Sequence, residues 1–202
     1  MTDSAPPSSS ISAERAADGT ASTGRLFVVS GPSGAGKSSV VAGLRQRRAL
    51  YFSVSATTRE ARPGETHGVH YWFLQPDEFA ALLATGDLLE WAEYNGRQYG
   101  TLRKPVVDHI SSGEDVVLEI EVQGARQVRA THPEAVMFFI VPPGLDELEG
   151  RLRRRGDTSE ADISRRLEIA RREMAEAEVL FDHVVVNDVL ERAIEEVDTL
   201  MG

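Results

Sequence analysis

The residues best equipped for chemistry lie in one octapeptide, Gly31-Pro32-Ser33-Gly34-Ala35-Gly36-Lys37-Ser38. Its spacing fits G-x-x-x-x-G-K-[ST], the pattern of a loop that cradles polyphosphate. Glycines let the backbone wrap closely enough for several N–H groups to converge on phosphate oxygens. A helix entered near Lys37 adds the positive end of its dipole. Lys37 then supplies a mobile charge to the β- and γ-phosphates, and Ser38 a hydroxyl ligand to Mg²⁺. The bland alternative is a glycine-rich turn without a ligand. It fits poorly, because the loop follows a valine-rich strand signal and opens a helix signal. The octapeptide predicts a site for a nucleoside triphosphate.

Such a loop does not say what accepts the phosphoryl group. The segment from Ser53 to Tyr71 places Arg59 and Arg62 three residues apart among hydroxyl side chains. Guanidinium groups grip phosphate in a bidentate fork, and the hydroxyls of Tyr71 and Tyr99 could complete a cage. A solvated arginine pair beside two core tyrosines is the competing reading. Glu90 sits in Leu88-Leu89-Glu90-Trp91, an acid in an apolar strand. A carboxylate there suits the two-donor edge of guanine, N1–H and N2–H₂, which adenine lacks. Composition alone favours the simpler reading, a solvent-facing acid or an ion pair with arginine.

The elements that must hold these residues alternate along the chain. Short apolar runs at Leu26–Ser30, Val116–Ile120, Val136–Val141 and Val184–Val186 read as strands buried on both faces. Helical patterns run over 37–48, 103–112, 123–130, 145–154, 162–180 and 190–201. Strands alternating with helices predict a parallel α/β sheet with right-handed crossovers. Between 53 and 101 the rhythm breaks into short strands, a helix beginning near Pro76 and an Asn95-Gly96 hairpin signal. This insertion reads as a substrate-binding subdomain of a core formed by 25–52 and 102–202. A polar, arginine-flanked stretch inside 151–166 reads as a lid. The first 24 residues are Ser, Ala, Pro, Thr and Gly with almost nothing apolar, and read as a disordered tail without a signal peptide.

Across 202 residues, 22 basic and 32 acidic side chains leave a net charge of −10. That balance argues against a nucleic-acid partner or a polybasic membrane anchor. No apolar run is long enough to span a bilayer. The absence of cysteine excludes disulfides, thiolate zinc sites and a cysteine nucleophile, and fits a cytoplasmic setting. His67 and His70 have a spacing that could hold a metal on a helix, but their segment reads as turn and strand with no third ligand. Nothing marks an oligomer interface.

Taken together, several segments closely resemble the guanylate kinase family: Gly31 to Ser39, Ser53 to Tyr71, Leu89-Glu90-Trp91, Tyr99-Gly100-Thr101 and Val186-Asn187-Asp188. The resemblance covers Arg25 to Gly202 in the family's order. It implies a P-loop core with a GMP-binding subdomain and a lid, transferring the γ-phosphoryl group of ATP to GMP with Mg²⁺. It implies that Arg59, Arg62, Tyr71 and Tyr99 hold the GMP phosphate, that Glu65 supports the arginines, and that Ser55, Glu90, Thr101 and Glu121 read the base. Asn187 matches a position near adenine, while Arg151, Arg155 and Arg166 match the lid arginines that act with Lys37. Arg153 and Arg154 read instead as a solvated face. Two departures stand out: Glu119 and Glu121 occupy positions where aspartate is common, and Thr101 replaces a common serine. A kinase for another phosphorylated acceptor and a catalytically silent interaction module are the alternatives. Glu90 with Ser55 argues against the first, and the intact loop and lid arginines against the second.

Overall fold

Every residue of β1 (Leu26–Ser30) is buried, so the sheet around it must be covered on both faces. The computed structural model describes residues 23–94, 96–154 and 159–202. In it β1 is the centre of five parallel strands. The others are β2 (Tyr51–Phe52), β7 (Val116–Glu119), β8 (Val136–Val141) and β9 (His183–Val186), in the order β2-β7-β1-β8-β9. Only β2 escapes the sequence pattern: it is two half-buried residues at the sheet edge, too short to show a period.

Alternation along β1 sends its side chains into two cores. Leu26 and Val28 pack with Val122, Ala125 and Val128 of α4 (Val122–Thr131) and with Ala177 of α6 (Glu160–Leu180). Phe27 and Val29 pack with Val40, Val41 and Leu44 of α1 (Lys37–Arg47) and with Ala193, Ile194 and Val197 of α7 (Leu190–Leu200). A smaller cluster, Leu148, Leu152, Ile163 and Ala170, joins α5 (Leu145–Arg154) to α6. The helix α3 (Arg103–Ser111) leads back from the insertion into the main sheet.

The insertion folds on itself. Strands β3 (Ala56–Thr57), β4 (Trp72–Phe73), β5 (Leu88–Tyr94) and β6 (Arg97–Leu102) form a second sheet, ordered β4-β3-β6-β5, beside α2 (Pro76–Thr85). Ala56, Phe79 and Leu88 form its own small core. The expected hairpin joins β5 to β6, with Tyr94 opposite Arg97 and Gly96 at φ 69°; Asn95 lies outside the described residues. Most of the expected tail does too. Gly24, counted with that tail, donates a 2.8 Å hydrogen bond to the Ile110 carbonyl, so it belongs to the folded domain.

Candidate functional site

The phosphate loop joins the buried end of β1 to α1. Gly31 and Gly36 have φ of 145° and 96°. A Cβ on either would lie 2.2 Å from a neighbour, the Ile140 carbonyl oxygen or Asn187 Nδ2. Only glycine meets both constraints. The helix α1 opens without a side-chain cap and without an acid in its first turn, which leaves its amides and dipole available to an anion. Lys37 Nζ donates to the Gly31 carbonyl at 2.5 Å and the Pro32 carbonyl at 3.3 Å. Ser38 Oγ donates to Glu119 Oε1 at 2.6 Å. The acid that ends buried strand β7 therefore meets the hydroxyl that begins α1.

Three side chains brace the loop. Asn187, buried at the end of β9, donates from Nδ2 to the Ala35 carbonyl at 2.8 Å. Arg151 donates to the same carbonyl at 3.3 Å and to the Asn187 carbonyl at 2.9 Å, with Glu147 3.0 Å from its Nε. Arg166 Nη1 lies 3.5 Å from Ser33 Oγ. Asn187, which the resemblance sets near adenine, thus lies against the loop itself. Arg155 falls outside the described residues. Arg153 pairs with Glu149 and Glu160, and Arg154 with Glu147, on the expected solvated face.

The second cluster belongs to the insertion. Arg59 donates two hydrogen bonds to Glu65, at 2.9 and 2.8 Å, and Glu65 also accepts from the Arg62 backbone at 2.7 Å. The Arg59 fork holds the Glu65 carboxyl down at about 2. The Arg59 guanidinium lies 5.2 Å from the centre of the Tyr71 ring and 5.6 Å from that of Phe73. Tyr71 and Tyr99 meet edge to face at 6.1 Å. The two tyrosines therefore belong to this cluster, and the solvated-pair reading fails for Arg59. Arg62 is exposed at the rim, and Ser55 is half-buried beside β4.

Glu90 corrects the reading that composition favoured. It does not face solvent, and among the described residues no arginine pairs with it: it is 3 % exposed and accepts a 2.6 Å hydrogen bond from Thr101 Oγ1. A register shift between Leu88 and Glu90 sets the acid opposite Thr101 on β6, as bulges re-aim side chains. Burial pushes the Glu90 carboxyl up to about 7; Thr101 opposes that rise and the nearby charge of Glu121, at the N-cap of α4, adds to it. Burial also raises the Tyr71 hydroxyl, and the charges of Glu119 and Glu121 raise it further. The Arg59 cluster and the loop end of β7 therefore feel each other's charge.

Two further groups were given no role in the sequence reading of the site. Glu119 stood there only as a departure from a common aspartate, though an acid closing a buried strand is itself a signal. Glu173 on α6 carried no such signal; burial first and then Glu121 push its carboxyl up to about 7, against the pull of Lys37. Among the described residues no group of histidines and acids could hold a metal ion by itself.

Known proteins resemble this chain over most of its length. The family model described as guanylate kinase matches residues 23–202. A guanylate kinase of Synechococcus sp. (strain JA-3-3Ab) is 53% identical over 182 residues, 90% of this chain and 83% of that protein. One from Thermus thermophilus is also 53% identical, over 85% of this chain and 77% of that protein. The crystal structure of guanylate kinase from Anaplasma phagocytophilum superposes with a TM-score of 0.73 at 32% identity, over 89% of this chain and 85% of the other.

Proposed function

The chain belongs to the guanylate kinase family, and from that premise we propose how its residues divide the phosphorylation of GMP by ATP. The enzyme transfers the γ-phosphoryl group of ATP to a phosphate oxygen of GMP and yields ADP and GDP. The observation that carries the residue assignment is the pairing of a triphosphate loop with a buried carboxylate, Glu90, that a neutral hydroxyl holds in the neighbouring insertion.

ATP phosphates sit in the loop from Gly31 to Ser39, against its amides and the N-terminus of α1. Lys37 exchanges its carbonyl partners for the β- and γ-oxygens. Ser38 and Glu119 present two adjacent oxygen donors, a set that suits a hard divalent cation. They would hold the Mg²⁺ that accompanies ATP, whose charge then offsets that of the β- and γ-oxygens. Asn187 steadies the loop beneath the nucleotide. Arg59, Arg62, Tyr71 and Tyr99 hold the GMP phosphate, with Glu65 fixing the Arg59 fork. Glu90 accepts the guanine N1–H and N2–H₂, held by Thr101, with Ser55 and Glu121 lining the same pocket.

No general base is needed, because the attacking oxygen of GMP is already anionic. Transfer spreads negative charge over the equatorial phosphate oxygens, and fixed cations stabilise that distribution. Lys37, Arg151, Arg155 and Arg166 take this part when the lid closes, and closure excludes water as a competing acceptor. We divide the chain into a core (25–52 and 102–202), a GMP-binding insertion (about 53–101) and a lid (about 151–166). The cysteine-free, acidic chain fits cytoplasmic purine nucleotide metabolism and ATP and GMP as partners rather than nucleic acid.

Coupled ADP release with MgATP tests the reading, comparing GMP, AMP, CMP and UMP. Response to GMP alone is expected. A stronger response to another nucleotide would overturn the role of Glu90, and silence with GMP would overturn the activity.

A further inference from the structure

The backbone of α4 has no need of glycine at 124. The residue lies inside the helix, and its φ is outside the left-handed region, so alanine would make a better helix there. The reason is space. A Cβ at 124 would lie 1.9 Å from Glu90 Oε2, 2.8 Å from its Cδ and 3.4 Å from its Cγ. The three nearest atoms all belong to the one buried carboxylate. Gly124 is the wall of the Glu90 pocket, and it is thin because it has no side chain.

The same helix also grips the strand that carries Glu90. Strand β5 is the edge of the second sheet, which leaves backbone groups on its outer side to be satisfied. Gln127, one turn beyond Gly124, does this at Trp91. Its Oε1 accepts from the Trp91 N–H at 3.2 Å and its Nε2 donates to the Trp91 carbonyl at 2.5 Å. The side-chain amide stands in for the peptide of a missing neighbouring strand. Its helix is rooted in the main core through Val122, Ala125 and Val128. Thus Thr101 holds one carboxylate oxygen, Gly124 makes room for the other, and Gln127 locks the adjacent peptide.

We propose that Gly124 and Gln127 are positioning residues for GMP: a core helix sets the Glu90 carboxylate against the guanine edge, by a gap and by a clamp. The proposal rests on the reading of Glu90 as the guanine acceptor. It makes recognition of the base a property of the joint between insertion and core. Displacing an acceptor by a fraction of an ångström weakens hydrogen bonds whose strength depends on alignment.

The test is a cycle of Gly124→Ala and Glu90→Ala in the full chain, read by steady-state kinetics and thermal unfolding. The clash at 124 falls on the tip of a flexible side chain, so the fold survives and Glu90 moves. Gly124→Ala is expected to raise the GMP KM about tenfold or more, the scale of a lost hydrogen bond to a charged group. The ATP KM and the kcat at saturating GMP should stay within about threefold. With Glu90→Ala in place, Gly124→Ala should leave the GMP KM unchanged and raise the Tm by about 2 °C, as alanine improves the helix. Gln127→Ala should raise the GMP KM by about threefold without moving the ATP KM.

An unchanged GMP KM in Gly124→Ala, or an equal rise with and without Glu90, overturns the proposal. So does a matching rise in the ATP KM, which would mark a general distortion. If Glu90→Ala itself leaves the GMP KM where it was, the base-reading assignment fails and the positioning role fails with it. If Glu90→Ala raises that KM and Gly124→Ala does not, the positioning role alone fails.

Discussion

The two halves of this active site are made of different materials. The triphosphate loop is eight consecutive residues whose useful groups are backbone amides, one lysine and one hydroxyl. The proposed acceptor pocket collects side chains from β5, β6, the 59–71 segment and the start of α4. Within the second of these, two carboxylates differ in turn. Glu65, gripped by Arg59, is held down at about 2, whereas Glu90, buried beside a neutral hydroxyl, is pushed up to about 7. A phosphate is always anionic, so fixed charges and dipoles suffice to hold it. A guanine edge is neutral, and its hydrogen bonds discriminate best where water is excluded.

Substitutions can break that partition, and the largest effect belongs to the loop. Lys37→Ala is expected to lower kcat by about a hundred- to a thousandfold, on the scale of losing a group that stabilises transition-state charge. The GMP KM should change little in the same steady-state experiment; a comparable rise would mean that the halves are not separate. Next comes Glu90→Gln, which exchanges one acceptor oxygen for a donor. The GMP KM should rise about ten- to a hundredfold while the ATP KM holds. Equal weakening of both nucleotides would make Glu90 structural.

A pH series sharpens the same contrast. Glu90 must be ionised to accept two donors, and its carboxyl in the unliganded protein titrates near 7. The GMP KM should therefore fall about fivefold between pH 6 and pH 7 and about twofold more by pH 8, since the ionised fraction is about a tenth one unit below the pKa and a half at it. Glu173 titrates in the same range, so Glu90→Gln is the control, and its profile should be flat. Stability carries opposite signs at the two carboxylates of the pocket. The raised Glu90 holds a proton that the unfolded chain releases, so its contribution is full below about 4.5 and lost as pH rises through 7. The lowered Glu65 contributes above about 4.5 and loses that contribution as pH falls toward 2. Urea midpoints across pH, compared with Glu90→Gln and Glu65→Gln, separate the two. The smallest effect is Arg153→Ala, which removes a solvated pair with Glu149 and Glu160 and should leave kcat and Tm within measurement scatter.

The loop and the alternating core were readable because their signals are local. Strands at 26–30 and 136–141 and the helix at 145–154 appear at the boundaries their apolar periods predict. The second cluster was largely readable: Arg59, Arg62, Tyr71 and Tyr99 stand out by residue type, and what the chain order hides is that the two tyrosines meet edge to face. Glu90 was the least legible. Its apolar neighbours raise a guanine-reading carboxylate as one possibility, but composition favoured a surface acid, and the family resemblance tipped the balance.

The order of residues therefore determines a polyphosphate loop on a parallel α/β core, since glycine spacing and apolar periodicity act over a few residues. Folding in three dimensions adds what no short window contains. It buries Glu90 against Thr101, aligns Gly124 and Gln127 of a distant helix on the same strand, and brings Asn187 behind the loop. Each of these depends on elements far apart in the chain meeting at van der Waals distance, where one missing Cβ decides whether a carboxylate fits.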